Sequence, residues 1–158
     1  MRTIASVGVY DSGLDDFLTK LRRHRVAMVV DVRQRRGVRG PQYAWANSLR
    51  LQAALKQTGI SYQHRPELAP TTELRHLQYR EDDRLGVGKR SRIELAEEYR
   101  RRYLHEILER VDLGGVLESL PDQRSSALLC VERDAHACHR SLIAARLHAQ
   151  FGVPVVNL

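Results

Sequence analysis

The chain has 158 residues, 42% hydrophobic and 28% charged, the composition of an ordinary globular protein able to bury a core in one domain. No apolar run approaches the roughly 20 residues a membrane helix needs, and the N-terminus lacks a signal-peptide pattern, so a membrane partner is not expected. Cys130 and Cys138 are the only cysteines, too few for a disulfide framework, and a reducing, cytoplasmic location is expected.

Lys plus Arg number 26 against 19 Asp plus Glu, a net charge of +7. The surplus is local. Between Val32 and Pro66 there is no acidic residue, while Arg33, Arg35, Arg36, Arg39, Arg50, Lys56 and Arg65 are all positive. A patch of this kind points to an anionic partner, phosphate-bearing or nucleic acid.

In chain order, Arg2–Gly8 reads as a first strand. Ser12 can cap a helix whose stripe is Leu14, Phe17, Leu18 and Leu21. Val26–Val32 is an apolar run of strand length ending in Asp31-Val32-Arg33, and strand, helix, strand predicts a parallel pair through a crossover. An Arg- and Gly-rich loop, Gln34–Ala46, follows. Asn47 or Ser48 then caps a helix that Gly59 ends. Ile60, Tyr62 and His64 alternate with polar residues as in a half-buried strand.

Thr71–Leu85 has the pattern of a charged helix, broken by Gly86–Ser91. Ser91 and Glu94 predict a capping box for a long helix carrying Ile93, Ala96, Tyr99, Tyr103 and Ile107 on one face. Gly114-Gly115 separates it from a short helix with Val116, Leu117 and Leu120. Ala127–Val131 reads as a strand covered on both faces, and Asp134 as the cap of a helix containing Leu142, Ile143 and Leu147. Val153–Val156 closes the chain. Five strands alternating with helices predict a single α/β three-layer domain over residues 1–158. Its sheet is Rossmann-like and mainly parallel, with the first and fourth strands adjacent.

Strand carboxyl ends share one rim, so residues distant in sequence are expected to converge there. They are Tyr10, Asp31, Arg33, His64, Glu67, Glu132 and the Cys138-His139-Arg140 turn. Cys138 near a helix N-terminus can act as a thiolate, or can serve as a small hydrophobe one turn before Leu142. His139 can move a proton; neighbouring helix positions point apart, which suits it to a substrate better than to Cys138. Arg140 can grip a phosphate or carboxylate, or pair with Asp31 or Glu132. Asp31 and Arg33 share a strand face, so they line one cleft wall or pair with each other. Glu67 and Glu132 orient a ligand, or stand as solvated or Arg-paired carboxylates. Arg35, Arg36 and Arg39 with Tyr43 and Trp45 could hold a nucleic-acid backbone and stack a base; a single Trp is more often tucked into the core.

No cofactor is expected. The Gly86–Ser91 loop lacks the spacing of a phosphate loop. Cys130, His136, Cys138 and His139 match no standard zinc spacing, and a Cys130 buried in a strand would not reach the others, so no metal is expected.

The chain resembles the domain-of-unknown-function 488 family almost end to end. The resemblance rests on Met28-Val29-Val30 ending in Asp31-Val32-Arg33, and on Gly59–His64 followed by Pro66-Glu67-Leu68. Its most specific part is Leu129-Cys130-Val131-Glu132 with Cys138-His139-Arg140-Ser141. It implies a Rossmann-like domain with these motifs gathered at one edge. It also favours Cys138, His139, Arg140, Asp31, Arg33, Glu67 and Glu132 as site residues, but supplies no established reaction. Members often carry a His shortly after the first strand's Gly, where this chain has Val9, and many have Pro where it has Ala135. A mechanism needing that His does not carry over. The expected function is an enzyme-like domain binding a small anionic or nucleotide-like ligand. The alternatives are a nucleic-acid-binding accessory protein using Val32–Pro66 and, by analogy, sulfur chemistry at Cys138.

Overall fold

The computed structural model describes residues 1–158. β1 (Thr3–Val7), β2 (Val26–Asp31), β3 (Ser61–His64), β4 (Ser125–Leu129) and β5 (Val155–Asn157) form one sheet in the order β3-β2-β4-β1-β5. Every pairing is parallel. The helices α1 (Leu14–Arg23), α2 (Ser48–Gln57), α3 (Thr72–Leu85), α4 (Glu97–Glu106), α5 (Leu113–Glu118) and α6 (Arg140–Phe151) flank it in a Rossmann-like three-layer arrangement. A continuous cluster of 36 buried apolar residues forms the core. No helix is long and apolar enough to cross a membrane.

β1 and β4 are neighbours, as expected. β1 and β2 are parallel but not a direct pair, because β4 stands between them. All five β4 residues are buried, which suits a strand covered on both faces at the centre of the sheet. From β2 the chain runs to β3 at one edge; from β4 it runs to β5 at the other. The carboxyl ends of the adjacent strands β2 and β4 therefore border a topological switch point, where an open α/β sheet leaves a crevice for ligands.

Several helix starts differ from the local signals, each for a visible reason. Gly13 rather than Ser12 precedes α1, and Asn47 precedes α2 but spends its side chain accepting from the Val38 N–H at 2.8 Å. Ser91 folds back on Gly88 instead of capping, and the long helix starts only at Glu97. The residues between are committed elsewhere: Arg92 is buried between two acids, and Ile93 is exposed. Gly114 and Gly115 lie within α5 rather than before it, and the Gly115 N–H is capped by Asp112 at 3.0 Å. Asp134 caps a short 3-10 turn, Ala135–Ala137, and α6 begins only at Arg140.

Candidate functional site

A cavity of about 930 Å³ opens at that switch point. The chain leaving β2 forms one wall with Arg33, Arg35 and Arg39, and α3 adds Arg75, Gln78 and Tyr79. The Gly88–Arg92 segment closes another side, and the chain leaving β4 supplies Cys130, Glu132, Cys138 and His139. Tyr10 reaches it from the end of β1. Here β1 and β4 come so close that a Cβ on Gly8 would overlap the Glu132 carbonyl oxygen. The N–H groups of Val9 and Tyr10 both donate to Val131 O, at 3.0 and 2.9 Å.

Of the residues expected at this rim, Tyr10, Arg33, Glu132, Cys138 and His139 line the cavity, and of the expected nucleic-acid surface Arg35 and Arg39 line it too. The others do not. Asp31 is fully buried and accepts from the Arg33 Nε at 2.9 Å and Nη2 at 2.8 Å, as well as from the Tyr62 hydroxyl. Arg33 Nη1 donates to Ala46 O at 2.8 Å, so the pair fastens β2 to β3 and to the turn Pro41–Ala46. His64 Nε2 meets Arg33 O at 3.1 Å. Glu67 is exposed and pairs with Arg65 at 3.2 Å. Arg140 is buried, donating to Ser6 Oγ at 2.6 Å and Arg133 O at 3.1 Å. Arg36 donates to the Tyr62 hydroxyl. Tyr43 is buried with its oxygen accepting from the Asp11 N–H, and Trp45 packs on Phe17 at 5.0 Å between ring centroids. Both rings of the expected stacking pair are thus engaged in packing.

The floor is a thiol–imidazole cluster. Cys138 precedes α6 in extended conformation and His139 is the residue before the helix, so their side chains meet rather than diverge. His139 Nδ1 lies 3.5 Å from Cys138 Sγ and 4.0 Å from Cys130 Sγ. Its Nε2 is 2.8 Å from Val32 O, an acceptor only, so Nε2 carries a proton and Nδ1 faces the sulfurs. The edge of Tyr103 supports the ring, with centroids 5.5 Å apart. Burial opposes the charged form of His139, yet the Cys130 sulfur, the Val32 carbonyl and Glu132 together hold its pKa above the ordinary value. Hydrogen bonding to Cys138 and burial push the Cys130 thiol up to about 12.

Cys130 is buried in the core, as the apolar run predicts, but it stands beyond the strand and within reach of Cys138 and His139, which the sequence reading does not expect. β4 ends at Leu129, one residue earlier than the apolar run suggests, which brings Cys130 out at the carboxyl edge and into the cavity wall. The signal available in the sequence was its position before the turn that carries Cys138 and His139.

The Gly86–Ser91 connector and Arg92 form the part least visible in advance. Arg92 donates to Asp82 at 2.8 Å and Glu132 at 2.9 Å, while Gln78 donates to Asp82 and accepts from the Ala96 N–H. Burial raises the pKa of Glu132. Lys89 is opposed by burial but raised overall by Glu132. The Arg90 guanidinium lies 5.2 Å from the ring centroids of both Tyr10 and Tyr43 and donates to Arg39 O at 3.1 Å. Arg33 and Arg92 are matched by buried acids; Arg35, Arg39, Arg75, Lys89 and Arg90 line the cavity with no carboxylate in ion-pair contact.

Fold and site together define an α/β protein with a cationic cavity at the carboxyl edge of a parallel sheet. The family described as domain of unknown function DUF488 matches residues 13–147, and the chain belongs to it. No curated protein and no solved structure matches the chain.

Proposed function

We propose that this chain is an enzyme-like domain that binds a small anionic, nucleotide-sized ligand in the cavity beyond β2 and β4. One observation carries the reading. Five cations held in no direct ion pair surround a volume in the range of small-molecule sites, above a floor of thiol and imidazole. Lys89, Arg90, Arg35 and Arg39 hold the anionic groups, Arg by paired donors and Lys as a point charge. Tyr10 offers a flat edge to a base or other planar group. Cys138 in the cavity floor supplies the reactive sulfur, with His139 Nδ1 behind it at 3.5 Å and Glu132 as the neighbouring carboxyl. A reducing compartment suits the two free thiols.

The test is calorimetric titration of the reduced protein with inorganic phosphate and with a nucleoside 5′-monophosphate. The reading expects saturable binding of the nucleotide, tighter than phosphate, and about tenfold or greater loss in the Lys89→Ala, Arg90→Ala double variant. Equal binding by that variant, with its fold intact by circular dichroism, contradicts it.

A nucleic-acid reading shares this surface, because Arg35 and Arg39 of the acid-free segment stand in the same wall. Oligonucleotide length separates the two. Affinity independent of length beyond one nucleotide supports a small-ligand pocket, and affinity that climbs with length supports a nucleic-acid groove.

A further inference from the structure

Three soft ligand atoms meet at the cavity floor: Cys130 Sγ, Cys138 Sγ and His139 Nδ1 all lie within 4.8 Å of one another. Zn–S bonds of about 2.3 Å and Zn–N bonds of about 2.0–2.1 Å put sulfur and nitrogen roughly 3.6 Å apart across a tetrahedral edge. The Cys138 edge is 3.5 Å and the Cys130 edge 4.0 Å, so small side-chain adjustments bring both to that length. The imidazole is already oriented. Its Nε2–H is fixed on the Val32 carbonyl, the outer contact that directs the opposite nitrogen of a histidine to a metal. All three residues are buried, yet all three line the cavity.

We infer that Cys130, Cys138 and His139 form a binding site for a soft divalent cation of the zinc class, with its fourth position open to the cavity. Two thiolates would neutralise the ion at a site where both sulfurs are largely buried, and a neutral imidazole would complete the set. Three protein ligands and one free position are the pattern of a catalytic rather than a structural zinc site. A water or an anionic group of the ligand is the natural occupant of that position. Glu132, whose Oε2 is buried without a partner, lines the same cavity. The inference uses the cavity of the proposed function but does not depend on what the cationic wall binds.

Cobalt(II) titration of the reduced, full-length protein, without added nucleotide or phosphate, is the test. One cobalt per chain is expected, with thiolate-to-cobalt charge-transfer bands and the intense visible bands of four-coordinate cobalt, displaced by equimolar zinc. Cys130→Ser should diminish the charge-transfer bands and weaken binding about tenfold or more, and His139→Gln should weaken it similarly. The wild-type spectrum decides even if a variant does not fold. Cobalt bound without charge transfer, no stoichiometric binding, or binding indifferent to Cys130→Ser overturns the inference. A Cys130–Cys138 disulfide that persists under reductant and excludes metal does so too. Phosphate and nucleotide titrations of the metal-free protein read the anion site separately, so either idea can fail alone.

Discussion

Asp31 and Arg33, two residues apart at the end of β2, form a doubly bonded ion pair in which Asp31 is 0% and Arg33 2% exposed. The pair sits beside the cavity, ties β2 to β3 through Tyr62 and reaches Ala46 in the next turn. Removing one partner leaves a charge buried without compensation. Arg33→Ala should therefore cost about 3–5 kcal/mol of stability in denaturant unfolding. Arg33→Lys, unable to form the paired contact and reach Ala46 together, should recover only part of that loss. A variant as stable as wild type would show that the pair is not needed to hold this end of the sheet.

Gly8 makes a second, sharper test of the same edge. A methyl group there overlaps the Glu132 carbonyl, so β1 and β4 must part where Tyr10 and Glu132 enter the cavity. Gly8→Ala should cost about 1–3 kcal/mol and weaken ligand binding with it. Unchanged stability and binding would mean that the two strand ends separate freely.

Tyr62 gives a pH dependence. Burial, with its hydrogen bond to Asp31 and against the opposing contact from Arg36, raises its hydroxyl pKa above the usual value of about 10. Between about pH 10 and the higher native value, the folded protein holds a proton that the unfolded chain has lost. Stability therefore falls as pH rises through that window. Tyr62→Phe should be less stable at neutral pH by about 1.5–3 kcal/mol, the worth of a hydrogen bond to a charged group, but should fall less steeply above about pH 10. Parallel pH profiles for the two proteins in urea unfolding would refute the assignment.

Much of the fold is legible in the sequence because its signals are local. The run Val26–Val30, the stripe Phe17, Leu18 and Leu21, and the small and apolar residues leading to Leu129 each determine their own burial. The convergence of Arg33, Glu132, Cys138 and His139 follows from strand ends sharing a rim. Other features depend on distant partners. Arg92 disrupts a helix start because Asp82 and Glu132 hold it, and nothing near Ser91 in the sequence signals that pull. Cys130 is core, as its apolar run suggests, but its second place in the cavity wall shows only when the end of β4 is located to the residue. The position of β4 between β1 and β2 is likewise a property of the whole sheet, since Thr3–Val7 and Val26–Asp31 taken alone form a plausible direct pair.

The cationic wall predicts a salt effect. Arg35, Arg39, Lys89 and Arg90 are separate charges with access to solvent, so anion affinity should fall steadily as ionic strength rises from 0.05 to 0.5 M, on the scale of a Debye length of about 10 Å at 0.1 M. Single Ala replacements of Arg35 or Arg39 should each reduce the slope and leave unfolding within about 0.5 kcal/mol of wild type. A salt-independent affinity would point to uncharged contacts as the source of binding.

The proposed ligand of the cavity between the chain segments leaving β2 and β4 is anionic and nucleotide-sized. The most direct measurement is a ¹H–¹⁵N correlation titration of the reduced protein with a nucleoside 5′-monophosphate. Saturable shifts are expected at Tyr10, Arg35, Lys89, Arg90 and the Cys138–His139 turn, with α2 and β5 unmoved. Shifts that are absent at saturating ligand, or that cluster on α2 and β3 away from the cavity, would contradict it.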